Sequence, residues 1–138
     1  MIYLDYHIEN NKLKSEEKEL NLLYNEKIKL LKTKEASISR YKQLFGVNSS
    51  DNAIEKYVEK ELEIEIGINV MEGIIETRKK RLDIILQNLI NSKNPKDNIY
   101  YYKYILGKNR SFILKKINYG KSRYNSFLNE IKLNLKKY

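Results

Sequence analysis

Residues 13–45 contain neither glycine nor proline, the two residues that most readily interrupt an α-helix. Along this stretch Leu20, Tyr24, Leu31, Ile38 and Phe45 recur at intervals of four, seven, seven and seven, which places them on one helical face. One long amphipathic helix is expected. A coiled-coil dimer would also need apolar residues at the complementary heptad positions, and those are Leu20, Lys27, Lys34 and Tyr41. The two lysines favour a helix packed within its own domain. Gly46 is expected to close the helix, residues 47–51 to form a loop rich in Ser and Asn, and Ser50 or Asp51 to cap a second helix that opens with Ile54, Tyr57, Val58 and Leu62.

Residues 61–70 are ambiguous. Leu62, Ile64, Ile66, Ile68 and Val70 alternate with Glu61, Glu63, Glu65, Gly67 and Asn69, the period of a half-buried strand. No second strand of similar quality exists for it to pair with, so a helix with a wide apolar face is favoured. From Met71 a helical period returns through Ile74, Ile75, Arg78, Leu82, Ile85, Leu86 and Leu89 and ends at Asn91. Residues 91–98, with the only proline at Pro95, read as a linker or turn. The expected fold is all-α: long N-terminal helices in residues 1–92, serving oligomerisation or partner contact, and a small three-helix domain in residues 93–138.

Charge supports that division. The chain carries a net +9, but Ile, Lys, Asn and Tyr together supply 68 of its 138 residues, and all four are read from A/T-rich codons. Coding bias would spread lysine evenly, whereas a binding surface concentrates it. Residues 1–92 hold 15 basic and 16 acidic side chains, while residues 93–138 hold 12 basic and 2 acidic. The last third therefore carries the whole excess. With no cysteine and a single histidine, His7, the chain has no disulfide framework, thiol nucleophile or thiolate zinc site, and little from which to build a histidine metal centre. The first ten residues include Asp5, His7 and Glu9 and lack the pattern of a secretory signal. The most apolar stretches, residues 64–75 and 82–90, are short and interrupted by polar side chains. A cytoplasmic protein with no membrane partner is expected.

The basic segment holds three short helical patterns, separated by residues 107–109 and 118–120. Tyr101, Tyr104 and Ile105 form one face, Phe112, Ile113 and Ile117 a second, and Tyr124, Leu128, Ile131 and Leu135 a third. Three helices joined by turns of this length are the layout of a helix-turn-helix unit. Residues 113–124 (ILKKINYGKSRY) resemble the helix-turn-helix of sigma factor region four. Ile113 and Ile117 match its first-helix core sites, Asn118 the turn position where positive φ is tolerated, Tyr119 its apolar plug and Tyr124 the inward residue of the second helix. Residues 98–135 further resemble the ArpU/RinA-type regulators of phage late genes, which carry a comparable pattern after a long helical N-terminal region. Leu114 departs from the usual small Ala, and Gly120 from the usual capping Ser. The resemblance implies a DNA-binding transcriptional regulator of phage or prophage late genes, acting in the bacterial host cytoplasm.

With Tyr124, Leu128, Ile131 and Leu135 turned inward, the second helix leaves Lys121, Ser122, Arg123, Asn125, Ser126 and Asn129 outward. Arg123 suits the O6 and N7 of guanine and Asn125 suits adenine, while Lys121 and Ser122 at the helix start suit phosphate. Lys108, Asn109, Arg110 and Ser111 open the preceding helix and are expected to hold backbone phosphates. The alternative is a merely solvated polar surface. The tyrosines at 100, 101, 102 and 104 suit either base stacking or, as helical spacing favours for Tyr101 and Tyr104, a core. The basic run Arg78, Lys79, Lys80 and Arg81 reads as a solvated face or a contact with a helix C-terminus.

Catalytic material is sparse. Glu59 and Glu63, like Glu61 and Glu65, can share a helix face, but no His, Cys or further carboxylate stands by them to make a metal site or an acid/base pair. Lys56 and Lys60 are their simplest partners. There is no glycine-rich phosphate loop. No enzyme activity, cofactor or metal is expected. The expected partners are double-stranded DNA and, through the N-terminal helices, a second copy of the chain or RNA polymerase. Two other readings remain, a helical oligomeric packaging or structural adaptor and a non-specific nucleic-acid binder.

Overall fold

The computed structural model describes residues 1–45 and 51–138. The expected closure at Gly46, the loop after it and the candidate cap Ser50 lie outside the described residues, as do the side chains of residues 38, 41–45 and 51–54. The regular elements described are all helical: α1 (Ile2–Phe45), α2 (Asp51–Ile90), α3 (Pro95–Tyr100) running into a π-helical turn (Tyr101–Ile105), α4 (Arg110–Lys116) and α5 (Lys121–Lys136). The chain forms two compact units, one of Lys14–Thr77 and one that joins Met1–Leu13 to Arg78–Tyr138.

In the Lys14–Thr77 unit, α1 and α2 run antiparallel. Partners advance along α1 as they retreat along α2: the Tyr24 hydroxyl donates to Glu72, Lys27 pairs with Glu65 at 3.3 Å, Lys34 with Glu61 at 3.3 Å, and the Ser37 and Tyr57 hydroxyls lie 2.9 Å apart. The less exposed positions alternate by three and four on both helices, through Leu20, Leu23, Lys27, Leu30 and Lys34 on α1 and Glu61, Ile64, Ile68, Met71 and Ile75 on α2. That is a heptad seam closed within one chain. The lysines that speak against a coiled-coil dimer lie on this seam, with their ammonium groups reaching α2 glutamates. Glu61 and Glu65 thus pair with α1, not with Lys56 or Lys60 as the sequence suggested. Tyr24, placed by its spacing on the apolar face, is 39% exposed.

Residues 61–70 are helical. Their alternating pattern arises because α2 has two apolar faces: Ile64 and Ile68 line the seam, whereas Leu62, Ile66 and Val70 point out. With Val58 and Ile74 these form an outer stripe at four-residue spacing, each member 42–57% exposed.

In the second unit the core contains Tyr3, Leu89, Ile99, Tyr100, Ile113, Ile117, Tyr124, Leu128 and Ile131. Helix α1 starts at Ile2, well before residue 13, and its first turn enters this core. Tyr3 is fully buried, stacks on Tyr100 with ring centroids 5.6 Å apart, and accepts a hydrogen bond from Asn134 Nδ2 at 2.9 Å. A boundary at residues 92/93 therefore does not separate the basic segment from the rest, because residues on both sides build one core. Nor are residues 91–98 a free linker. Asn94 caps α3 by accepting from the Lys96 N–H at 3.0 Å, Pro95 occupies the first turn, and Asp97 is buried. Two members of the basic run are tied down, since Arg78 and Arg81 both reach Glu9 of α1.

The tyrosine cluster is arranged differently from its spacing. Tyr100 is buried, Tyr101 half-buried and Tyr104 42% exposed. In the π-helical turn the Leu106 N–H donates to the Tyr101 carbonyl five residues back, and the wider turn rotates the face that a regular helix would keep inward. Gly107, at φ 66°, then ends the segment in the left-handed region. Burial, then the nearby Tyr6 and Tyr104, push the Tyr100 hydroxyl up to about 12. The fold thus favours its neutral form, so this contribution to stability is complete below about pH 10, where an unfolded tyrosine titrates, and is lost as pH rises to about 12. Tyr6, Tyr24 and Tyr104 are also raised, and phenolate absorbance is expected to show a late-titrating component from Tyr100 that is missing in Tyr100→Phe. A wild-type titration in which all tyrosines ionise together would contradict this.

Candidate nucleic-acid interface

Helix α4 is started by a side-chain cap, and α4 and α5 are both held by their apolar faces. The Asn109 side-chain oxygen accepts from the Phe112 N–H at 2.9 Å and so caps α4. Ile117 leaves α4 in an extended conformation, φ −93° and ψ 134°, and Gly120 enters α5 extended, φ −71° and ψ 168°. Among the described residues only Gly107 has a positive φ. Asn118 therefore does not use the positive φ that its turn position tolerates. Gly120 stands at the cap position and supplies no side-chain bond to the first N–H groups of α5. Ile113, Ile117, Tyr124, Leu128 and Ile131 are buried, and Leu135 and Leu114 are half-buried. Tyr119 is no buried plug. It is 37% exposed and meets the Phe127 ring edge-on at 5.5 Å.

Lys108, Asn109, Arg110, Ser111, Lys121, Ser122, Arg123, Asn125, Ser126 and Asn129 are all exposed. The start of α4 and the first turn of α5 are brought together, for the Arg110 guanidinium lies 5.8 Å from the centre of the Tyr124 ring. At about 100° per residue, Ser122, Ser126 and Asn129 fall opposite the buried face of α5. Asn125 flanks them on one side and Arg123 on the other. Asn109 is partly committed, since its oxygen serves the cap.

Seven basic residues lie between Asp97 and Glu130: Lys103, Lys108, Arg110, Lys115, Lys116, Lys121 and Arg123, with no acid among them. The two carboxylates that bound the segment are engaged elsewhere. Asp97 is buried, with Oδ1 accepting from the Tyr3 N–H at 2.9 Å and Oδ2 from Ser92 Oγ at 2.7 Å, while Glu130 pairs with Lys96. Among the described residues, none of the seven forms an ion pair. Several lie against aromatic rings instead: Lys108 and Lys116 are 5.1 and 5.6 Å from the centre of Phe112, and Arg123 is 5.8 Å from that of Tyr119. Sequence reasoning named neither the rings nor Lys103, Lys115 and Lys116 as part of this surface. The i, i+4 spacing of Phe112 and Lys116 within one helical pattern is the signal the sequence offers for that pair.

Among the described residues no group of three His, Cys, Asp or Glu side chains could hold a metal ion, and no helix is long and apolar enough to cross a membrane. Comparison with protein-family models, curated proteins and solved structures gives no match.

Proposed function

We propose that the chain is a sequence-specific double-stranded DNA-binding transcriptional regulator, with α5 in the major groove. The observation that carries this reading is the basic stretch of residues 98–129, which holds no acidic side chain and in which exposed Ser, Asn and Arg side chains occupy the first turns of α5. Lys108, Arg110, Ser111 and Lys121 suit phosphate contacts, with the open N–H groups at the start of α5 adding a favourable site for an anion. Ser122, Arg123, Asn125, Ser126 and Asn129 suit base edges. The resemblance of residues 98–135 to ArpU/RinA-type regulators makes phage or prophage late genes the proposed target, in a bacterial cytoplasm, with RNA polymerase or a second copy meeting the N-terminal helices.

The test is duplex affinity against salt for wild type and for Arg123→Ala combined with Asn125→Ala. Wild type is expected to lose affinity steeply and linearly on a log–log scale. The double variant is expected to lose sequence preference, each bidentate contact contributing about 1–3 kcal/mol of discrimination. Absent or salt-insensitive binding, or an unchanged preference, would overturn the reading. Equal affinity for random and selected duplexes would identify a non-specific binder.

The outer stripe of α2, Val58, Leu62, Ile66, Val70 and Ile74, favours a second reading, a helical oligomeric packaging or structural adaptor. A ring-sized particle in light scattering would support it, and a monomer or dimer would argue against it.

A further inference from the structure

We propose that Phe112 and Tyr119 are positioning residues that set the cations of the α4–α5 surface in place for a polyanion, an inference that rests on the reading of this surface as a nucleic-acid interface. A cation can be held at a protein surface by a carboxylate or by the face of an aromatic ring. The carboxylate cancels its charge toward any third party, whereas the ring attracts it through a quadrupole and leaves the charge whole. The α4–α5 surface uses the second device. Lys108 and Lys116 share the Phe112 ring at 5.1 and 5.6 Å, and Arg123 lies 5.8 Å from the centre of Tyr119.

The rings are themselves braced. Phe112 is half-buried and meets the Tyr102 ring edge-on at 5.8 Å, and Tyr119 meets Phe127 edge-on at 5.5 Å. Phe127 and Tyr102 in turn pack against the buried core of the unit. Core, ring and cation therefore form a short series in which each member restrains the next. Restraint matters because a free lysine or arginine surrenders rotamer freedom when it engages a phosphate. Cations already held against a ring surrender less, so affinity depends on the rings although they carry no charge.

Tyr119→Leu keeps an apolar side chain at an exposed position and removes the ring, Tyr119→Phe restores it, and Phe112→Leu releases two lysines at once. All three leave net charge unchanged. Affinity is read on a random-sequence duplex and on heparin, a polyanion without bases, at several salt concentrations, with thermal unfolding in parallel. Tyr119→Leu is expected to weaken binding to both probes roughly two- to fivefold, because on heparin or a random duplex Arg123 meets sulfate or phosphate in place of a selected base. Phe112→Leu is expected to weaken it further and to flatten the salt dependence by about one phosphate contact for each cation released. Tyr119→Phe is expected to match wild type. Unchanged affinity and slope for Tyr119→Leu, or an equal loss in Tyr119→Phe, would overturn the proposal. Should Phe112→Leu unfold early, the two Tyr119 variants decide. A wild type that binds heparin but not duplex would refute the nucleic-acid reading alone, and the ring comparison would then be read on heparin.

Discussion

A fragment of residues 93–138 is expected to be largely unfolded on its own, although it contains every residue of the candidate interface. In the folded chain its core is completed by two side chains from outside it, Tyr3 and Leu89, both fully buried. Tyr3 stacks on Tyr100, and its hydroxyl takes a hydrogen bond from Asn134 of α5. Losing a buried aromatic costs about 3–5 kcal/mol and a buried leucine about 2–5, against the 5–15 kcal/mol that a whole domain usually has. A segment of this size, with no cysteine to form a disulfide, is near the lower limit for independent folding. Circular dichroism with urea titration is the check: a weak helical signal without a cooperative transition is expected for the fragment, and a cooperative transition close to that of the full chain would contradict it. Beginning the chain at residue 14 is expected to give an intermediate loss, since Leu89 stays and Tyr3 goes.

Asp97→Ala is expected to destabilise the same unit by about 2–4 kcal/mol, because a carboxylate bonded on both oxygens is worth more than a neutral partner and its loss strands the groups it served. Asp97 is 2% exposed. One oxygen takes the backbone N–H of Tyr3 in the first turn of α1, and the other takes the Ser92 hydroxyl in the turn before α3. The carboxylate thus lies in the first turn of its own helix α3 and against the first turn of α1, where helix dipoles favour a negative charge. Asp97→Asn keeps an acceptor for Tyr3 and loses the charge, so a smaller effect of about 1–2 kcal/mol is expected. Urea denaturation distinguishes the two. Equal stability of wild type and the alanine variant would show that the tie to Tyr3 contributes nothing.

The long helices are legible in the sequence, α1 because a stretch free of Gly and Pro leaves the backbone few alternatives and α2 through its apolar spacing despite Gly67 and Gly73, and the apolar spacing of α5 identifies Tyr124, Leu128 and Ile131 as inward. The pairing of α1 with α2 is not. Lys27 and Lys34 look like defects in a heptad until Glu65 and Glu61 of α2 stand opposite them, and that match needs the register of a hairpin. The strand-like period of residues 61–70 misled for a related reason, since two apolar faces on one helix add up to alternation. Tyr3 carried no local mark of its role, as its partners lie near residue 100 and beyond. Regular helical spacing puts Tyr104 inward, whereas in the π-helical turn it is 42% exposed and Tyr100 is buried.

The basic surface was legible through charge segregation, a property of sequence alone. The side chains that hold the cations were not, because aromatic residues in a helical pattern are ordinarily core. Phe112 and Tyr119 are neither wholly buried nor free, and that intermediate position becomes visible only once α4 and α5 are placed against the core.

The most direct measurement is an amide chemical-shift titration of the full chain with a short duplex at low salt. The shifts are expected to concentrate at residues 108–111 and 121–129 and to fade as salt is raised. Shifts centred on the outer stripe of α2, or none at any salt concentration, would contradict it.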